Sequence, residues 1–255
     1  MADQRILFAK YGTAKYISHL DLMHTMERAF LRAGITIRHT AGFHPHPYVS
    51  IPLPLPLFFS SQCELLEFGL VEGSTMEQLP EQMNKVLPAG IEILDCYEGG
   101  LPFRKLAFVR YAITLEFDGD VAKNAEESFL ELVSRESFVV QKKSKKSKKG
   151  FTEVDLIPLI EAVEDTQAQG DTLRMTLLLQ AQNPGLNPAI LLQGFREEYP
   201  QFSVVYSTCH RVEILDEEKK CTDNVRRDWL RLSAFPHTSL FLIGLILMNG
   251  SNLQS

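Results

Sequence analysis

Residues 44–57, HPHPYVSIPLPLPL, carry five prolines within 14 positions. Each proline fixes its own φ, removes a backbone donor and disfavours helix at the preceding residue. Residues 44–56 are therefore expected as a stiff, extended loop that cannot join a central strand. The surrounding stretch, 16–57, also holds five of the seven histidines, so a functional site is expected to centre here.

A helix is predicted just before this loop. Ser18, with Asp21 three residues on, reads as a capping box that satisfies backbone N–H groups of the first turn. Asp21 also lies where the positive end of the helix dipole favours an anion. Leu22, Met26, Ala29, Phe30 and Ala33 recur at helical spacing as one apolar stripe, and Gly34 supplies the stop. On the opposite face Asp21, Thr25, Arg28 and Arg32 fall together, with His24 at the edge. This face reads as an ordinary solvated surface or as guanidinium forks set for phosphate.

After Gly34, ITIRHTAGF alternates apolar and polar residues, which predicts a strand over 35–39 and a turn at Ala41-Gly42. In extended chain His44 and His46 would project to one side as two metal ligands do. A zinc site wants three or four ligands, so no metal or other cofactor is expected.

Strands are predicted at Arg5–Lys10, Glu64–Leu70 and Ile91–Cys96, with a second helix over Ser74–Leu87 capped by Ser74 and Glu77. The order β-α-β-β-α-β is that of a ferredoxin-like unit. The second half repeats it. Val109–Phe117 is a strand and Ala122–Ser134 a helix. Phe138–Gln141 begins a strand that breaks at a lysine run and resumes over Thr152–Pro158. Ile160–Glu164 extends a strand or forms a short helix. Leu173–Gln180 is a strand, a helix enters through Asn187-Pro188, and Val204–Leu215 closes the unit. The expected class is α+β, two tandem ferredoxin-like βαββαβ units over residues 1–98 and 105–216, with a C-terminal extension over 217–255.

Two segments stand outside that pattern. Lys142, Lys143, Lys145, Lys146, Lys148 and Lys149 form a run that reads as a solvated hairpin tip or as a phosphate-tracking finger. In the extension, 224–232 is basic and amphipathic and SLFLIGLILM (239–248) is densely apolar. Ten residues reach only about 15 Å as helix, half a bilayer core, so no membrane span is expected. The net charge of −6 confines any nucleic-acid contact to local basic patches. Cysteines at 63, 96, 209 and 221 form no close pair, and the first residues lack an apolar signal core; a cytoplasmic protein with reduced thiols is expected.

Several pieces together resemble a known family. YISHLD (16–21), ERAFLRAG (27–34), Gly42-Phe43 with Pro45-His46-Pro47, and Ser50 through the PLPL run are similar to the signature of the radical SAM-associated proteins (domain of unknown function 2344). Lys149-Gly150, Glu153-Val154-Asp155, Pro158-Leu159-Ile160 and Asn187-Pro188 fit as well, so the resemblance spans about residues 4–216. It implies an accessory subunit beside a radical SAM partner, presenting an RNA or ribosomal substrate. The chain departs from the pattern at His44, at Tyr48 in place of a basic residue, and at Phe58-Phe59 in place of a glycine-containing turn. An iron–sulfur cluster of the radical SAM type needs a clustered trio of cysteines, and the spacing here provides none, so this chain is not itself the radical SAM catalyst.

The leading functional reading is a non-catalytic adaptor for RNA or a partner. Its contacts are His19, Asp21, His24, Arg28, Arg32, His46 and the six lysines of 142–149. The alternative is a metal-independent ribonuclease in which His19, His24 or His46 is the general acid or base. A purely structural subunit is the third, with His19 and His46 as buried hydrogen-bonding residues.

Overall fold

The computed structural model describes residues 4–71, 75–143 and 150–221. The first half runs β1 (Gln4–Lys10), α1 (His19–Arg32), β2 (Val49–Ser50), β3 (Ser60–Phe68), α2 (Leu79–Asn84) and β4 (Ile91–Glu98). The second runs β5 (Phe108–Phe117), α3 (Ala122–Val133), β6 (Val139–Lys143), β7 (Phe151–Asp155), β8 (Ile160–Gln169), β9 (Thr172–Gln180), α4 (Pro188–Glu198) and β10 (Val204–Leu215). The class is mixed α+β, as the sequence predicts.

Eight strands form one sheet in the order β4-β1-β3-β10-β5-β9-β8, with β2 pairing off that path on β3. Within the first half β1 is antiparallel to β3 and to β4. Within the second, β5 is antiparallel to β10 and β9, and β8 to β9. The halves meet where β3 and β10 run parallel, at Ser60 opposite His210 and Ser61 opposite Arg211.

Each half buries its own core. In the first, Leu22, Met26, Ala29 and Phe30 of α1 pack with Leu79 and Met83 of α2 against Ile6, Phe8, Leu66 and Phe68. In the second, strict alternation along β5 sends Val109, Tyr111, Ile113, Leu115 and Phe117 inward, where Phe129 of α3 and Phe195 of α4 lie at 5.8 Å. The proline segment joins the two cores. Ile51 is buried in the first, whereas Leu55 and Phe59 are buried in the second. The extended, donor-poor backbone that excludes these residues from a strand suits them to cross between layers as a strap.

Local signals fixed α1 as expected. Ser18 Oγ accepts from Asp21 N, and Gly34 at φ +72° ends the helix, its N–H and that of Ile35 returning to Leu31 and Phe30 carbonyls. Three expectations need correction. Residues 35–39 form no strand; Ile37 and His39 make isolated bridges, and Val49–Ser50 take the edge position on β3 instead. The second helix is limited to Leu79–Asn84 because Pro80, which has no N–H, fits only in a first turn. Gln78 precedes it without a side-chain cap, and Ser74 lies outside the described residues. The interrupted strand over 138–158 is a separate hairpin, β6 on β7. Phe138 and Val140 seat that hairpin on α4 at Gly194, where an added Cβ would stand 2.8 Å from Val140.

Phe59 makes an edge contact with Tyr111 at 6.1 Å and belongs to the second core although it enters from the first half. Phe59→Ala is expected to cost about 3–5 kcal/mol, read as a lower urea midpoint by circular dichroism. An unchanged midpoint would show that the strap contributes no packing.

Candidate functional site

The outward face of α1 is more committed than the helical wheel shows. Asp21 is the acceptor of a 2.7 Å bond from Ser18 Oγ, and Thr25 Oγ1 donates to the Asp21 carbonyl. Arg32 Nη2 donates to the Val86 carbonyl at 2.9 Å, closing the end of α2. Arg28, His19 and His24 are exposed. Arg32 is exposed as well and keeps its other donors, so the face presents two guanidiniums, with two histidines near the helix start.

Residues 38–48 form a pinned loop inserted in the sheet edge. Arg38 N bonds Gly69 O and Tyr48 N bonds Arg38 O, while Thr40 N bonds His46 O. Thr40 Oγ1 is 3.0 Å from His46 Nδ1 and also accepts from His46 N at 3.2 Å. These contacts leave Nε2 as the histidine nitrogen facing outward chemistry. At the apex Phe43 is fully exposed, beside exposed His44. The Arg38 guanidinium lies 5.1 Å from the Tyr48 ring centroid. Cation and aromatic are therefore both present at this edge. Among the described residues no group of three or more His, Cys, Asp or Glu is placed to hold a metal ion.

Lys142 is exposed near the end of β6, and Lys143 pairs with Phe151 through the backbone ladder. Lys145, Lys146, Lys148 and Lys149 lie outside the described residues, as does everything after 221. No described helix is long and apolar enough to cross a membrane.

Sequence reasoning missed the polar centre of the molecule. At the seam between the halves Arg211 and Glu64 are both buried, joined by a 2.9 Å bond from Nη1 to Oε1. Arg211 also donates from Nε and Nη2 to the Tyr111 hydroxyl and from Nη1 to the Leu53 carbonyl of the strap, at 2.7 Å. Burial penalises its charge, but Glu64 and Tyr111 outweigh that and hold its pKa above the ordinary value. Lys10, also buried, donates to Ile17 O, and burial lowers its pKa against the opposing pull of Glu64. Glu64 Oε2 has no hydrogen-bond partner among the described residues. The available signal was a charged residue on the inward register of each strand, but the two partners are 147 positions apart.

Beside the seam, a depression of about 190 Å³ opens between the strap and α4. Leu57 and Phe58 line one wall, Leu192 and Arg196 another, and Ser207 and Cys209 the floor. Burial pushes the Cys209 thiol up to about 12, which makes it a packing group rather than a nucleophile. Phe58 has φ +71°, a left-handed conformation at a bulky residue, and its N–H is fixed on Lys15 O at 2.9 Å. Its ring meets Tyr16 edge-on at 6.0 Å. Next to the seam pair, the ring of His210 lies between Ser60 Oγ (2.9 Å) and Gln62 Oε1 (3.4 Å), and burial lowers its pKa to about 4.

Glu64→Gln removes the charge that compensates buried Arg211 and is expected to cost about 3–5 kcal/mol. The double change Glu64→Leu with Arg211→Met should recover much of that loss in urea melts; equal loss in both would deny that the pair acts as a unit. His210 is neutral in the folded protein down to about pH 4, whereas unfolded histidine takes a proton near 6.5. The stability it contributes is thus complete above pH 6.5 and lost as pH falls toward 4. His210→Gln should flatten the wild-type loss of stability between pH 6.5 and 4.5; superimposable curves would contradict this.

The family model described as Uncharacterized protein conserved in bacteria (DUF2344) matches residues 4–188. No curated protein matches the chain.

Proposed function

The chain belongs to the uncharacterized bacterial family DUF2344, and from that premise we propose that it is a non-catalytic accessory protein that binds RNA or a ribosomal substrate. The signature residues of 16–57 support a radical SAM enzyme as the partner to which that substrate is presented. On this reading the protein works in the cytoplasm.

One observation carries the RNA contact. Residues 28–63 contain no Asp or Glu, in a chain that has 32 of them. Over the same stretch Arg28, Arg38, His39, His44 and His46 are exposed, and Phe43 projects from the pinned loop. A cation-bearing stretch with no acid of its own and an accessible ring, bordered by Glu67 on Tyr48, suits a phosphate backbone with unpaired bases, and local placement reconciles it with a net charge of −6. Lys142 and the lysines to 149 would extend the electrostatic contact.

The strand orders support a finer account of the scaffold. β4-β1-β3-β2 in one half and β10-β5-β9-β8 in the other have the same sequence of roles, all antiparallel. We read each half as a ferredoxin-like unit, residues 1–98 and 105–216, with the pinned loop and the β6–β7 hairpin as their respective insertions.

The test is a pull-down of the intact protein with and without ribonuclease, followed by RNA binding across a salt series. A radical SAM protein should co-purify in both conditions. Arg28→Ala should weaken RNA binding with unchanged melting and lower the salt slope by about one. Unchanged affinity and slope would remove the α1 face from the contact. If the wild type cleaves bound RNA and His46→Ala stops cleavage but not binding, the protein is a metal-independent ribonuclease instead.

A further inference from the structure

We infer that the exposed rings of Tyr16, Phe58 and Tyr206, with Lys15 and Arg196, form a stacking platform for the unpaired bases of single-stranded RNA. This inference rests on the RNA-binding reading above and names a second contact surface, to which both halves contribute residues.

Three large rings remain accessible where burial would otherwise be favoured: Tyr16 is 56% exposed, Phe58 62% and Tyr206 47%. They are not scattered. Tyr16 and Phe58 are in edge contact at 6.0 Å, and Lys15 links them to Tyr206. Its ammonium is 5.1 Å from the Tyr16 centroid and 3.4 Å from the Tyr206 hydroxyl. Phe58 is held outward by a left-handed backbone, a conformation that strains a bulky residue. That strain is borne without burying the ring, which directs attention to what the ring meets from outside.

The charges indicate the occupant. Lys15 adjoins Tyr16 and Tyr206, Arg196 lines the depression with Phe58, and neither makes an ion pair among the described residues. Lys15 bonds a phenol and Arg196 Nη2 bonds the Ser207 hydroxyl at 3.0 Å, so both cations retain donors and full charge for an anion. Accessible rings beside cations that make no ion pair among the described residues are what a single strand uses, bases on rings and phosphates on cations. The depression between Phe58 and α4 is lined by Leu57 and Leu192 on its apolar sides and by Arg196 and Ser207 as donors, a combination suited to one turned-in base. A duplex hides its base faces and gains nothing from the rings.

The test uses the full chain, a 5′-labelled 12-nucleotide oligouridine, and a 12-base-pair RNA duplex, read by fluorescence anisotropy. Tyr16→Ala with Phe58→Gly removes two rings, and glycine accepts the left-handed backbone without strain. Single-strand affinity should fall about 10- to 100-fold, with duplex binding and melting temperature unchanged. Phe58→Tyr, which keeps a ring, should bind like the wild type. Equal affinity of the double variant and the wild type for oligouridine, with Arg28→Ala still weakening it, overturns the platform and leaves RNA binding at the histidine loop. A double variant that keeps oligouridine binding but loses its co-purifying protein makes this a protein-docking face and equally overturns the proposal. Failure of the wild type to bind either RNA ends both readings.

Discussion

A guanidinium buried in a sheet seam must find acceptors for its donors, and the identity of those acceptors organises this molecule. Arg211 takes a carboxylate from β3 of the first half, a phenol from β5 of the second and a carbonyl from the strap above both. The direct strand pairing between the halves is short, two residues opposite two. So small a ladder fixes register poorly by itself. The charged cluster supplies what the ladder lacks, because any slip along the seam would separate Arg211 from Glu64 and leave an isolated buried charge. Lys10, approaching Glu64 from β1, adds a second cation to the same carboxylate and ties the arrangement to the centre of the first half.

The same constraint explains the proline segment. Leu53 offers its carbonyl to Arg211 while Ile51 fills one core and Leu55 and Phe59 fill the other. Residues so placed need an extended backbone whose N–H groups are not required by a neighbouring strand. Alternating prolines at 52, 54 and 56 meet that need. The loop that drew attention as a site is thus two things in sequence: an exposed, histidine-bearing tip over 38–48, and a buried strap over 51–59.

What could be read from the sequence was what local chemistry decides. Ser18, the Leu22–Ala33 stripe and Gly34 are near neighbours, and they specify α1 with its cap and stop. The alternation of β5 and the Asn187-Pro188 entry to α4 were legible for the same reason. Residues 35–39 have the alternation of a strand, but the edge of β3 accepted Val49–Ser50, a choice made by tertiary fit. The hairpin over 139–155 depends on Gly194 opening a place on α4 for Val140. At the site, Arg28 and His46 were visible by residue type, whereas the Arg211–Glu64 pair and the cluster of Tyr16, Phe58 and Tyr206 exist only once distant strands are paired. Phe58 takes a backbone conformation that glycine prefers, which its residue type gives no hint of.

The strap also imposes an order on biosynthesis. Residues 51–59 leave the ribosome before any strand of the second half has been made, so Leu55 and Phe59 await a core that does not yet exist. Glu64 likewise precedes its cation by 147 positions. The nascent first half therefore carries an open apolar flap and a carboxylate without its guanidinium partner until β10, the last strand of the described fold, arrives to close the molecule. The final strand to be synthesised is the latch for a segment made near the beginning.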